Sequence, residues 1–210
     1  MASMNLFAQL LALTVGLTVH EFMHAYVGHR LGDTTAKANG RLTLNPIAHI
    51  DPFATLILPL GLILIGSPIV FAAAKPVPFN PWALRGGRWG AAAVAAAGPL
   101  TNLALAIVTA IILRLVPYSS NLATILGVMI MINVALFIFN LIPLPPLDGS
   151  RVLYAFVSAQ TRETMDRIEQ GGLATIGIFV LIMYFTPVGR ILNSLILGLI
   201  RLLVPTIPPY

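Results

Sequence analysis

The 210-residue chain is 58% hydrophobic and only 9% charged, with twelve Lys and Arg against seven Asp and Glu. So little charge excludes an ordinary soluble domain, in which about a quarter of the residues are charged, and the length allows one membrane-embedded bundle. The absence of cysteine removes disulfides and thiolate ligands, and the net charge of +5, spread through short loops, reports membrane topology rather than nucleic-acid binding.

The first apolar stretch, LFAQLLALTVGLTV, is long enough for a signal-peptide core, but no Lys or Arg precedes Arg30. It therefore reads as a retained transmembrane helix over 5–28. This helix carries His20, Glu21 and His24. Histidines four apart lie on one helix face and can converge on one ion. Glu21, about a quarter turn away, can reach a water beside that ion without being a ligand, which is the logic of HExxH: two zinc-binding imidazoles and a general base. The bland alternative, a helix ending at His20 with solvated polar residues, is opposed by the apolar and aromatic residues of FMHAYVGH that follow. Ionisable groups inside a membrane helix cost roughly 2.5–3.5 kcal/mol each and mark functional interiors.

A polar loop comes next. Its alternating GRLTLN predicts a short strand near 40–45, His29 and His49 read as loop or interfacial residues, and Asp33 as a loop acid. Asp51, before Pro52, suits a turn or cap. The apolar segment 52–74 is interrupted by Pro52, Pro59, Gly61, Gly66 and Pro68, which suits a segment that enters the membrane and returns. Basic residues support re-entry. With it, Arg30, Lys37, Arg41, Lys75, Arg85, Arg88, Arg151, Arg162, Arg167 and Arg201 share one side, leaving Arg114 and Arg190 opposite. A crossing would divide them almost evenly. The positive-inside rule selects re-entry, with an outside N-terminus. Further spans are expected at 89–115, 122–142, 171–185 and 188–204, with a surface helix or turn at 158–170. The fold class is thus an all-α, polytopic integral membrane bundle of five or six segments. It forms one domain over 1–210, with a core at about 5–157 and C-terminal helices at about 171–204.

A catalytic zinc usually has three protein ligands. Asp33, Glu163, Asp166 and Glu169 sit in polar stretches, which leaves Asp148 in FNLIPLPPLDGSRVLYAF. Three prolines break the helix before it, so its carboxylate can turn inward. Capping a helix that starts near Ser150 is the competing role. In the re-entrant topology His20, His24 and Asp148 all fall toward the inner side.

HEFMH in the first helix, AAGPLTN in the central one and NLIPLPPLDG later together resemble the site-2 protease family of intramembrane zinc metalloproteases. The likeness extends over most of 5–157, and GRLTLNPIAHIDPFATLILP and AKPVPFNP are similar to connecting segments of compact bacterial and archaeal members. The resemblance implies one Zn2+ per chain held by His20, His24 and Asp148, with Glu21 as catalytic acid/base. It also implies that Asn140 lies near the active site, and that Gly98, Pro99 and Asn102 help pack the central helix there. Gly98 also suits close helix packing, and Asn102 an interhelical hydrogen bond. Many members carry a PDZ or nucleotide-sensing module, for which this sequence has no room, and some have an extra helix before HExxH that is missing here.

The expected function is an intramembrane zinc endopeptidase of the prokaryotic cell membrane that cuts transmembrane segments of other proteins. The strand near 40–45 and the re-entrant segment are candidates to hold a substrate extended by edge pairing. A metal-binding membrane protein or metal transporter explains the ligands but gives Glu21 no purpose. A non-catalytic descendant that binds transmembrane segments is opposed by the intact motif.

Overall fold

The computed structural model describes residues 2–51, 57, 61 and 75–204. The described residues form helices and turns with no strand. The long helices are α1 (Ala2–Arg30), α3 (Arg88–Leu113) and α4 (Asn121–Asn140), with a single turn α2 (Thr35–Ala38) between the first two. After the Pro-rich turn come α5 (Asp148–Tyr154), α6 (Ala159–Gln170), α7 (Leu173–Phe185) and α8 (Val188–Leu203).

Helices α1, α3 and α4 pack on one another and form the scaffold of the site. Lipid tails are as apolar as leucine, so such helices associate through close packing and interhelical hydrogen bonds rather than by escape from water. The sequence supplies both. Ala8, Ala12 and Gly16 repeat every four residues on the buried face of α1. A Cβ on Gly16 would stand 3.0 Å from Leu136 Cδ1 and 3.1 Å from Asn133 Oδ1, so glycine admits α4 there. The buried face of α3 includes Gly90, Ala95, Gly98, Asn102, Ala106 and Ala110. Pro99 interrupts α3's hydrogen-bond ladder, while the Thr101 hydroxyl donates to the Ala97 carbonyl at 2.7 Å. At the far end Leu113, Ile130, Val134 and Val204 join Ala106, Ala110 and Ala123 in the buried apolar core.

Among the described residues three helices, Leu6–Arg30, Arg88–Leu113 and Asn121–Asn140, are long and apolar enough to cross a membrane. The helices at the expected crossings 171–185 and 188–204 are shorter than the three long ones, and the number of crossings they make is left open. Helices α7 and α8 have 13 and 16 residues, about 20 and 24 Å at 1.5 Å per residue, against a hydrocarbon core of about 30 Å. They meet at an 80° bend, the geometry of a broken span or a re-entrant loop. Arg201 changes ends. Arg114 Nη2 donates to the Leu203 carbonyl at 3.1 Å, so the C-terminus of α8 lies beside that of α3, away from His20. Arg114 and Arg201 then share the sparsely basic end, and the charge asymmetry survives.

Segment 52–74 lies outside the described residues apart from 57 and 61, but its flanks meet. Lys75 N donates to the His49 carbonyl at 2.9 Å, and the buried Arg41 guanidinium donates to the carbonyls of Ala48, Lys75 and Pro76. The strand expected near 40–45 does not form. The Thr43 hydroxyl accepts from Asn45 N, and the Thr43 carbonyl lies 2.9 Å from His49 Nε2. Side chains thus take up backbone groups that a strand partner would need. His49 is correspondingly buried rather than interfacial. Helix α6 confirms the surface helix expected at 158–170, with Arg167 pairing to Glu163 one turn away at 2.7 Å.

Candidate metal centre

His20 and His24 occupy successive turns of α1 and are 4% and 8% exposed. Their rings meet edge to face at 4.6 Å. Their Nε2 atoms are 3.0 Å apart, and Asp148 Oδ2 lies 3.0 Å from the first and 3.3 Å from the second. Among the described residues this is the one group of three or more His, Asp or Glu side chains able to share an ion.

The Pro-rich turn delivers Asp148. Backbone turns at Ile142, Leu144 and Leu147 fold the chain back after α4, and Gly149 permits the closest approach: a Cβ there would stand 2.3 Å from the Leu141 carbonyl oxygen. The capping role for Asp148 is not taken up. Leu147 is the N-cap and α5 begins at Asp148 itself, with no side-chain cap, while Asp148 Oδ2 is buried without a hydrogen-bond donor.

The donor set fits zinc. His24 Nδ1 is 2.7 Å from the Val94 carbonyl, an acceptor only, so this nitrogen carries the proton and Nε2 presents a lone pair in the neutral ring. His20 Nδ1 is 2.6 Å from Asn102 Oδ1 and donates to it by the same logic. With both rings neutral, two lone pairs and a carboxylate oxygen converge on one point, the donor set of a cation site. Tetrahedral zinc with ligands at 2.0–2.1 Å places them about 3.3 Å apart, against the 3.0–3.3 Å here. The floor of the centre is Gly98, whose absent Cβ would lie 2.4 Å from His24 Nε2 and 2.7 Å from His20 Nε2.

Glu21 stands apart from the three. Its buried carboxylate accepts from Val77 N at 3.2 Å. Pro76 and Pro78 flank Val77 and have no N–H, so Val77 supplies the single amide donor of that triplet. The stretch 75–80 is fastened on both sides of this contact, by Arg41 at Lys75 and Pro76 and by Asp33 Oδ2, which accepts from Asn80 N at 2.6 Å. Asp33 is thus buried rather than solvated. Burial alone would raise its pKa, but hydrogen bonds from the Thr35 side chain and the Thr35 and Asn80 amides outweigh it and hold the carboxyl below its ordinary 3.8.

Asn140 ends α4 and donates to the Leu136 carbonyl at 3.0 Å, bonding its own helix rather than the triad. Asn102 does more than pack, since it touches His20 directly. Sequence reasoning missed Asn133, Val77 and the Val94 carbonyl. Asn133 alone carried a signal, as the lone amide side chain inside the apolar stretch between Leu122 and Phe139.

Helices of membrane-crossing length around a His-Glu-x-x-His face and a distant aspartate define a multi-pass membrane protein of the zinc metalloprotease class. Comparison with known proteins agrees. The profile described as Peptidase family M50 matches residues 116–184. YwhC of Bacillus subtilis strain 168, named as a candidate zinc metalloprotease, is 39% identical over 188 residues, covering 85% of this chain and 80% of YwhC. Rip2 of Mycobacterium tuberculosis strain H37Rv, named likewise, is 30% identical over 175 residues, covering 82% of this chain and 64% of Rip2. The chain belongs to peptidase family M50. No solved structure matches it significantly.

Proposed function

We propose that this protein is an endopeptidase that hydrolyses peptide bonds in or near transmembrane segments of other membrane proteins, in a prokaryotic cell membrane, with 1–210 acting as one catalytic unit. The observation that carries the reading is the convergence of His20 Nε2, His24 Nε2 and Asp148 Oδ2 over Gly98, with Glu21 next to His20 yet outside the ligand group.

His20, His24 and Asp148 would hold zinc, which when bound supplies Lewis acidity toward the scissile carbonyl. Glu21 takes a proton from the attacking water and returns it to the departing amine nitrogen. The Val77 amide holds the Glu21 carboxylate in one orientation, so that proton transfer starts from a fixed geometry. Asn102 and the Val94 carbonyl orient the two imidazoles. Asn140 is assigned a place beside the site, with no proton to move. A helical substrate must unwind before attack, because its carbonyls are engaged in hydrogen bonds. Along the stretch 75–80, the carbonyls of Lys75 and Pro76 and the amides of Val77 and Asn80 are already taken by Arg41, Glu21 and Asp33.

Metal transport has less support. Beyond Asn133 the helices close on Ala106, Ala110, Leu113, Ile130 and Val134, which offer an ion no ligands. The test is incubation of purified protein with tagged single-span substrates, with and without chelator, followed by mass mapping of the fragments. Cleavage within the span, lost with chelator and in Glu21→Gln, is expected. Fragments indifferent to both would overturn the proposal.

A further inference from the structure

The amide side chains of Asn102 and Asn133 are both fully buried, far from any requirement of the peptide-cleaving chemistry itself. Their hydrogen bonds run in one direction. Asn133 Nδ2 donates to the Met129 carbonyl at 2.8 Å, one turn back on its own helix. That leaves Asn133 Oδ1 facing α3, where it accepts from Asn102 Nδ2 at 2.9 Å. Asn102 Nδ2 also donates to the Gly16 carbonyl at 3.0 Å, so both hydrogens of that amide are spoken for. The remaining oxygen, Oδ1, then points at His20 Nδ1 at 2.6 Å.

An amide has one acceptor end and one donor end, and which faces where is decided by its partners. Were Asn102 reversed, its NH2 would face His20 Nδ1, the proton of the neutral ring would move to Nε2, and no lone pair would remain for a metal. Two acceptors, Gly16 O and Asn133 Oδ1, oppose that reversal. One is main chain and fixed, whereas the other depends on a single side chain of α4. Gly16 serves a second time here, because a Cβ on it would crowd Asn133 Oδ1 at 3.1 Å.

We infer that Asn133 is a positioning residue for the metal centre: acting through Asn102, it selects the His20 tautomer that presents Nε2 to the ion. The inference rests on the proposed zinc reading and adds to it a residue on a helix that contributes no ligand. It also gives the packing of α4 against α1 and α3 a chemical consequence, since a shift of α4 would loosen a ligand it never touches.

The experiment is a double-mutant cycle on zinc affinity, read by competition with a chromogenic chelator on purified, folded protein. Loss of an outer partner of a ligating histidine costs about 10- to 100-fold in metal affinity. Asn102→Ala should fall in that range, and Asn133→Leu near its lower end, about tenfold. In the Asn102→Ala background, Asn133→Leu should add less than about twofold, because the link it acts through is gone. Asn133→Ser, whose hydroxyl is too short to reach Asn102, should repeat the result and serves if the leucine variant does not fold. Wild-type affinity in the folded variant, or an equal loss in both backgrounds, would overturn the inference. Failure of the zinc reading itself looks different: His20→Ala/His24→Ala would then keep stoichiometric zinc, whatever residue stands at 133.

Discussion

Gly98→Ala adds one methyl group and should empty the metal centre. The new Cβ would stand 2.4 Å from His24 Nε2 and 2.7 Å from His20 Nε2, where ordinary contact begins at 3.4 Å. The imidazoles or α3 must therefore yield by about 1 Å, while zinc ligation tolerates only about 0.2 Å around its bond lengths. A 1 Å misplacement costs about 100-fold in a positioned reaction, and zinc affinity should fall by at least that much. Overpacking adds about 1–3 kcal/mol of destabilisation, small enough for the bundle to stay helical by circular dichroism. The assay is zinc content by mass spectrometry of protein purified without added metal, together with chelator competition. Gly127→Ala is the control, because a Cβ there meets nothing within 4 Å. One zinc per chain at wild-type affinity in Gly98→Ala would refute the geometry on which the site rests.

Three further outcomes follow from the segments around the site. Val77→Pro removes the amide that holds Glu21 and should lower kcat about 10- to 100-fold, the worth of a hydrogen bond to a charged group, with KM and zinc content little changed, while Val77→Ala keeps wild-type kcat; equal rates in the two variants would exclude the contact. Because the folded pKa of Asp33 is depressed, its contribution to stability is complete above the unfolded value of about 3.9 and is lost as pH falls through the lower folded value. Asp33→Asn should therefore melt earlier than wild type at neutral pH and converge with it below about pH 4, and a melting difference independent of pH would contradict this. Cysteine probes at Thr43 and Asn80 should label from one side and a probe at Ser120 from the other, since Lys75 and His49 are hydrogen-bonded across the ends of 52–74; opposite labelling of Thr43 and Asn80 would make that segment a crossing.

The centre was largely legible in the sequence because its logic is local or eliminative. Four-residue spacing puts His20 and His24 on one face whatever surrounds them, and with seven acids in the chain few could face inward. The support was not legible. Whether Asn133 meets Asn102 depends on how α4 is rotated against α3, which a helix apolar on nearly every face does not announce. Asp33 and His49 read as loop residues because polarity suggests solvent, yet the loop folds under α1 and uses both to fasten its own backbone. The bend between the C-terminal helices was not legible either: hydropathy counts apolar residues but cannot see the 80° turn that follows α7. The short strand failed because GRLTLN carries a period-two pattern, while its backbone groups pair with side chains.

The central claim is that two α1 imidazoles and the Asp148 carboxylate hold one ion. Zinc-edge X-ray absorption on the purified wild-type protein tests it most directly. Nearest-neighbour scattering is expected from two imidazole nitrogens at about 2.0–2.1 Å and oxygen at about 2.0–2.2 Å, with the imidazole multiple-scattering signature of two rings. A spectrum with no imidazole contribution, or one unchanged in His20→Ala/His24→Ala, would contradict it.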